Sequence, residues 1–191
     1  MFCFENVAAI IFDLDDTLVH SRLDFNAIKR RLGCPSAEDI LAYIEQIPCP
    51  EQKALAHDIV LQHELEDAKD SKVIHGAQEF IHQAALRNLP LGIVTRNCRA
   101  ASEIKLSVHS IMIDALITRE DALPKPDPQA LLMLADKWGL EAASIAYIGD
   151  YHYDIEAAHN ADMQAWLYQH DQAKSQYKDR LSYIPKLESN A

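Results

Sequence analysis

Basic residues are the scarce class in this 191-residue chain, where 18 Lys and Arg stand against 29 Asp and Glu for a net charge of −11. A field of that sign opposes sequence-independent attraction to nucleic-acid phosphates or anionic lipid, so neither a nucleic acid polymer nor a membrane is an expected partner. Long apolar runs are missing as well. No stretch approaches the roughly 18 uncharged residues that a membrane helix needs. The opening MFCFENVAAIIFD has no basic stretch before its apolar run, and an acidic residue interrupts that run, so it does not read as a signal peptide. The four cysteines, Cys3, Cys34, Cys49 and Cys98, have neither a paired metal spacing nor the density of a disulfide scaffold. They read as reduced, mostly buried thiols, which makes a cytoplasmic location the default. Internal repeats and low-complexity segments are absent too.

Apolar residues are plentiful. At 49% hydrophobic, the chain can build the core of one domain, or of one domain carrying a small insertion. Val7 to Asp13 is a continuous apolar run ending in carboxylates, the pattern of a strand buried on both faces with its chemistry at the carboxyl end. From Ser21 to His75 only helical patterning follows. Ser21 with Asp24 reads as the cap of a helix carrying Phe25, Ile28 and Leu32, with Gly33 as its stop. Ser36 with Asp39 reads as the cap of a second, carrying Ile40, Tyr43, Ile44 and Ile47 and broken by Pro48 and Pro50. A long charged helix runs from Glu51 to about Lys72.

Beyond His75 helices and strands alternate. Helices are expected near Ala77 to Arg87, Ala100 to Val108, Pro128 to Trp138 and Asp154 to Ala161. Strands are expected near Leu91 to Thr95, Ile113 to Thr118, Ser144 to Gly149 and Gln164 to Leu167. Asp127 suits an N-cap before Pro128, and Gly139 a C-terminal cap. The polar tail from Lys174 to Ala191 carries Leu181, Tyr183 and Ile184, enough for a short edge strand. Alternation of this kind implies a parallel sheet with right-handed crossovers and helices on both faces, an α/β fold in three layers. Ligands of such sheets bind at the carboxyl ends of the strands. Asp13 and Asp15, Thr95 and Asp150 all stand at such ends.

The segment Asp13-Leu14-Asp15-Asp16-Thr17 resembles the first motif of the haloacid dehalogenase superfamily. Ile93-Val94-Thr95-Arg96-Asn97 resembles its second. Lys125 within Leu123-Pro124-Lys125-Pro126-Asp127-Pro128 resembles the third, and Gly149-Asp150-Tyr151-His152-Tyr153-Asp154 the fourth. The resemblance, to the phosphoglycolate-phosphatase-like members with a small helical cap, implies a Rossmann-like core and a magnesium-dependent phosphatase. Asp13 would be the nucleophile, and Asp15 would protonate the leaving oxygen and then activate water. Mg2+ would take carboxylate oxygens from Asp13 and Asp150 and the main-chain carbonyl of Asp15. Thr95 would bind phosphate, Lys125 would span nucleophile and phosphate, and Asp154 would support Lys125 or a metal-bound water.

The other polar residues near these motifs divide differently. Asp16 reads as a turn residue, Asn97 as a turn or N-cap residue, and His152 as an exposed loop histidine. Arg96, a candidate phosphate-binding residue beside Thr95 and Lys125, departs from the family's usual pattern; it either meets a second anionic group of the substrate or pairs with a cap carboxylate. Asp162 stands where relatives commonly have glycine. Residues 21–74 would form the helical cap, inserted between core segments 1–20 and 75–191, with Arg22, Arg30 and Arg31 as candidates for substrate contact. The expected activity is hydrolysis of a small phosphorylated metabolite by a monomer or homodimer. A sugar phosphomutase and a non-catalytic phospholigand-binding protein are the alternatives, while a dehalogenase would have no use for Asp15.

Overall fold

Every residue from Ala9 to Phe12 is fully buried, as the apolar run demands, and the twofold alternation of a strand divides them. Ile10 and Phe12 enter one hydrophobic cluster, Ala9 and Ile11 the other. This strand is therefore the middle of a sandwich, with a helix layer on each side. The computed structural model describes residues 2–186 apart from 114, 172 and 175. Residue 114 of the expected strand 113–118 and residues 187–191 of the tail thus lie outside the described residues.

The chain begins with β1 (Ala9–Phe12) and β2 (Val19–His20), followed by α1 (Phe25–Leu32), α2 (Ile40–Glu45), α3 (Pro50–Asp70) and β3 (Lys72–Val73). It then alternates through α4 (Ala77–Ala85), β4 (Leu91–Val94), α5 (Arg99–Val108), β5 (Ala115–Ile117), α6 (Gln129–Trp138), β6 (Ile145–Gly149) and α7 (His152–Asn160). The strands β7 (Gln164–Tyr168) and β8 (Leu181–Ile184) complete it. Six strands form one sheet in the order β5-β4-β1-β6-β7-β8, parallel except for β8, which runs antiparallel to β7. On one face Phe80, Ile81 and Ala84 of α4 pack against Ile10 and Phe12. On the other, Leu131 and Leu134 of α6 and Ala157 and Ala158 of α7 pack against Ala9 and Ile11.

The helical segment has its own small core of Ile28, Ile40, Ile44, Ala56 and Val60. It leaves and returns through β2 and β3, a two-residue antiparallel pair in which Val19 faces Val73. The expectation of helix alone between Ser21 and His75 is therefore corrected at Lys72 and Val73. Two residues are too few to show a strand period, and the partner that makes them a strand lies over fifty residues away. The third helix starts one residue earlier than expected, with Pro50 in its first turn, where proline loses no helical hydrogen bond. Asp24 alone caps α1, accepting from the main-chain N of Ala27 at 2.9 Å, while the Ser21 hydroxyl donates to Asp67. Gly33 closes α1 in the left-handed conformation, as its position predicts. At α6 the capping position is Pro128 itself, and Asp127 accepts from the N–H of Gln129. Cys34 and Cys98 are buried free thiols; Cys49 is half-buried and Cys3 exposed, so burial holds for only half of the set.

Gly92 in β4 admits a close approach of α6 to the sheet, since a Cβ there would stand 2.6 Å from Leu134 Cδ1 and 3.0 Å from Trp138 Cη2. Gly92→Ala is expected to lower the unfolding free energy by about 1–3 kcal/mol through overpacking. Urea unfolding followed by circular dichroism measures it, and an unchanged midpoint would contradict this packing.

Candidate active site

The carboxyl ends of β1, β4 and β6 deliver their polar residues to one end of the sheet, where a cleft of about 560 Å³ opens between the sheet and the helical segment. Asp13 follows β1 directly, with its N–H donating to the Ile148 carbonyl of β6 at 2.8 Å. Lys125, from the loop before α6, is buried with its ammonium donating to Asp13 Oδ1 and Asp154 Oδ1, both at 2.6 Å. The Lys125–Pro126 peptide bond is cis. Asp154, in the first turn of α7, accepts the Tyr147 hydroxyl at 2.9 Å on Oδ1 and the Tyr151 N–H at 3.0 Å on Oδ2. A Cβ on Gly149 would fall 2.3 Å from the Asp154 carboxyl carbon, so only glycine at the end of β6 admits this carboxylate. Asp150 accepts from the Thr17 hydroxyl at 3.2 Å.

These groups perturb one another. Burial disfavours the charge on Lys125, yet the carboxylates of Asp13 and Asp154 hold it above the ordinary lysine range. Burial also pushes the Asp13 carboxyl upward, against the pull of Lys125. Asp150 is pushed from 3.8 to about 6 by burial first, then by the carboxylates of Asp154 and Asp16. Asp13, Asp150 and Asp154 each offer an oxygen within 4.8 Å of the others. A hard-oxygen donor set in which acids crowd one another fits a divalent cation such as Mg2+, whose charge would relieve the crowding at Asp150.

The second carboxylate of the first motif belongs to a different network. Asp15 Oδ1 accepts from Lys105 Nζ at 2.5 Å and Oδ2 from Asn97 Nδ2 at 2.6 Å. Its side chain is thus spent on α5 and the second motif. Burial, set against Lys105 and Asn97, holds this carboxyl above the ordinary range. Lys105 is fully buried and also donates to Asp67 of α3 at 2.7 Å. Asp67 in turn accepts from the Arg22 N–H at 2.6 Å. Of the two roles expected for Asn97, it takes the turn, in the bend between β4 and α5, and not the N-cap. Cys98 takes that position, with its sulfur accepting from the Ala101 N–H, and the Asn97 amide is left to serve Asp15.

Thr95 follows β4 and lines the cleft, with its hydroxyl accepting the Asn97 N–H at 3.1 Å. Arg96 pairs with Asp39 of the helical segment, its Nη2 lying 2.7 Å from both carboxylate oxygens, so the second of its two expected roles is the one observed. Asp16 holds a left-handed turn (φ +53°), as does Asp162 (φ +55°), the conformation for which glycine is the usual choice. His152 is exposed as expected but opens α7 and does not lie in a loop, with its ring tilted against Tyr151 and Tyr153. None of Arg22, Arg30 and Arg31 lines the cleft; Lys29 does. Tyr147, Lys105, Asp67 and Glu64 went unremarked in the sequence. For α3 a signal existed, because Glu64 and Asp67 continue at helical spacing the buried face of Ala56 and Val60.

A sequence profile of haloacid dehalogenase-like hydrolases matches residues 10–167. The chain belongs to this family. The hydrolase is 27% identical to an N-acetylmuramic acid 6-phosphate phosphatase of Pseudomonas putida, over 80% of this chain and 78% of that one. It is 28% identical to a phosphoglycolate phosphatase of Cereibacter sphaeroides, over 83% of this chain and 84% of the relative. A haloacid dehalogenase-like hydrolase of Bacteroides fragilis has the same fold, with a TM-score of 0.72 and 20% identity over 93% of this chain and 95% of that one. No described helix of the hydrolase is long and apolar enough to cross a membrane.

The raised Asp150 pKa has a definite sign. A carboxyl titrating higher in the folded state than in the unfolded one adds stability below the unfolded value, here 3.8, and that contribution is lost as pH rises through about 6. In chelator, the thermal midpoint of the hydrolase is expected to fall between about pH 4 and pH 6.5. Magnesium should remove the slope, and Asp150→Asn should weaken it. A midpoint indifferent to magnesium at pH 7 would contradict the metal-binding assignment.

Proposed function

We propose that this hydrolase is a magnesium-dependent phosphatase that cleaves a small-molecule phosphate monoester through an aspartyl-phosphate on Asp13. The observation that carries the reading is the bridge from the Lys125 ammonium to Asp13 and Asp154, at the floor of a cleft large enough for a small metabolite. The phosphatase names of the relatives support the same reading.

In this reaction Asp13 attacks phosphorus, the bond to the ester oxygen breaks, and Asp15 gives its proton to that oxygen. Burial shifts the Asp15 carboxyl upward against the pull of Lys105 and Asn97, the direction that favours a proton donor. Asp15 then takes a proton from water, which attacks phosphorus and releases Asp13 and inorganic phosphate. Lys125 neutralises the phosphoryl oxygens from the side of the nucleophile, and Thr95 supplies a hydroxyl to another oxygen. Asp13 and Asp150 would hold the magnesium together with the Asp15 carbonyl, and the ion supplies the charge that lets one anion approach another. Lys105 and Asn97 fix the direction of the Asp15 carboxyl from behind.

Asp13→Asn is expected to lower kcat for p-nitrophenyl phosphate by at least about 10³-fold with the fold intact by circular dichroism. In the same assay chelator should stop the wild type and magnesium restore it; an asparagine variant within tenfold of wild type would sink the proposal. Lys105→Met separates the role of Asp15. Its kcat/KM should fall about 100-fold for an alkyl phosphate but less than tenfold for p-nitrophenyl phosphate, whose leaving group needs no proton. Equal losses on both esters would deny Asp15 that role.

A further inference from the structure

Beyond its phosphate-binding end, the cleft holds two cations, Lys29 and Arg96, and both are engaged within the protein. Arg96 follows Thr95 and is the residue placed to meet a second anionic group on a bound ester. Its Nη2 instead lies 2.7 Å from both oxygens of Asp39, and its guanidinium stands over the Tyr153 ring at 5.1 Å. Asp39 is not free to swing aside, because its Oδ1 also accepts the N–H groups of Leu41 and Ala42, both at 3.1 Å, as the N-cap of α2. Lys29 donates to the carbonyl of Ser36 at 2.6 Å. Glu38 also lines this wall, as does Glu64, whose carboxylate is paired with Arg119 and accepts the Cys98 N–H. The rest of it is apolar, with Phe25, Ile28, Leu41 and Val60 facing the cleft.

A carboxylate or second phosphate on the substrate would have to part Arg96 from Asp39. It would then lie beside the carboxylate of Asp39 left without its partner, in a wall that also carries Glu38. We propose that the alcohol released by this enzyme is uncharged, so that the substrate's only anionic group is the phosphate it loses. This inference rests on the phosphatase reading and narrows it: a two-carbon phosphorylated acid is a poor substrate, and a polyol or other neutral alkyl ester a good one.

Phosphoglycolate and 2-hydroxyethyl phosphate form a matched pair, differing only in a carboxylate against a hydroxymethyl group. Each is assayed as a substrate by phosphate release and as a competitor of p-nitrophenyl phosphate hydrolysis. The wild type is expected to favour the uncharged ester by at least about tenfold, in kcat/KM or, if neither ester turns over, in inhibition constant. Asp39→Asn keeps an oxygen to cap α2 while removing the charge, and Asp39→Ser is the alternative cap should it fail to fold. Either variant should raise the ratio of carboxylated to uncharged ester by about tenfold.

Equal or better use of phosphoglycolate by the wild type would overturn the inference and leave the phosphatase reading standing. So would an unchanged ratio in a folded Asp39 variant. Failure to hydrolyse p-nitrophenyl phosphate with magnesium present would overturn both.

Discussion

The ammonium of Lys125 lies between the carboxylates of Asp13 and Asp154, and much of the surrounding fold is what keeps it there. All three groups are buried, and a buried charge is tolerated only where its partners are fixed and its remaining hydrogen bonds are met. The parallel sheet fixes Asp13 at the end of a strand with hydrogen-bonded neighbours on both sides. Gly149 makes room for Asp154, Tyr147 spends its hydroxyl on it, and the first turn of α7 supplies a main-chain N–H. One ammonium does not balance Asp13, Asp150 and Asp154 together, and that deficit is what a divalent ion would fill.

A comparable arrangement joins the helical segment to the sheet. Asp67 of α3 shares Lys105 with Asp15, and Glu64 of the same helix pairs with Arg119 while accepting the Cys98 N–H at 3.1 Å. Both acids are buried, so the long helix is tied to the core by charge as well as by the packing of Ala68, Leu61 and Leu65 against Ala101 and Ile104. Losing one partner of such a pair typically costs about 3–5 kcal/mol, far more than an exposed pair contributes. The first two helices have no comparable buried pair among the described residues; their polar link to the core is Arg96 with Asp39, at the rim of the cleft. The segment is therefore firm along α3 and lightly held where it covers the site.

Asp13 and Asp150 were legible because each stands where an apolar run stops, Lys125 and Asp154 by the resemblance of their segments, and the four do converge. The sheet was legible for the same reason: runs such as Ile145–Ile148 admit no exposed face. What escaped notice depends on partners distant in sequence. Lys105 looks like an ordinary helix lysine until Asp15, ninety residues earlier, and Asp67 are brought against it. Asn97 looked like a cap because its neighbours allow one, and only the Cys98 sulfur in that position releases its amide for Asp15. Charge alone marks out the cap arginines, and it says nothing about the direction in which Arg30 and Arg31 point from the eight residues of α1, or Arg22 from the chain before it.

Val19 and Val73 face each other across a two-residue ladder, so the chain departs for its helical excursion and comes home at almost the same spot. Such a doorway makes the fifty residues beyond it exchangeable: length and sequence there can drift without moving a strand of the sheet. Two tenants must nevertheless be kept through any exchange, the acids of α3 that answer Lys105 and Arg119, since a newcomer lacking them would leave buried Lys105 with Asp15 as its one carboxylate and half-buried Arg119 without its ion pair. That constraint falls on α3; the first two helices, which line the cleft, do not share it among the described residues.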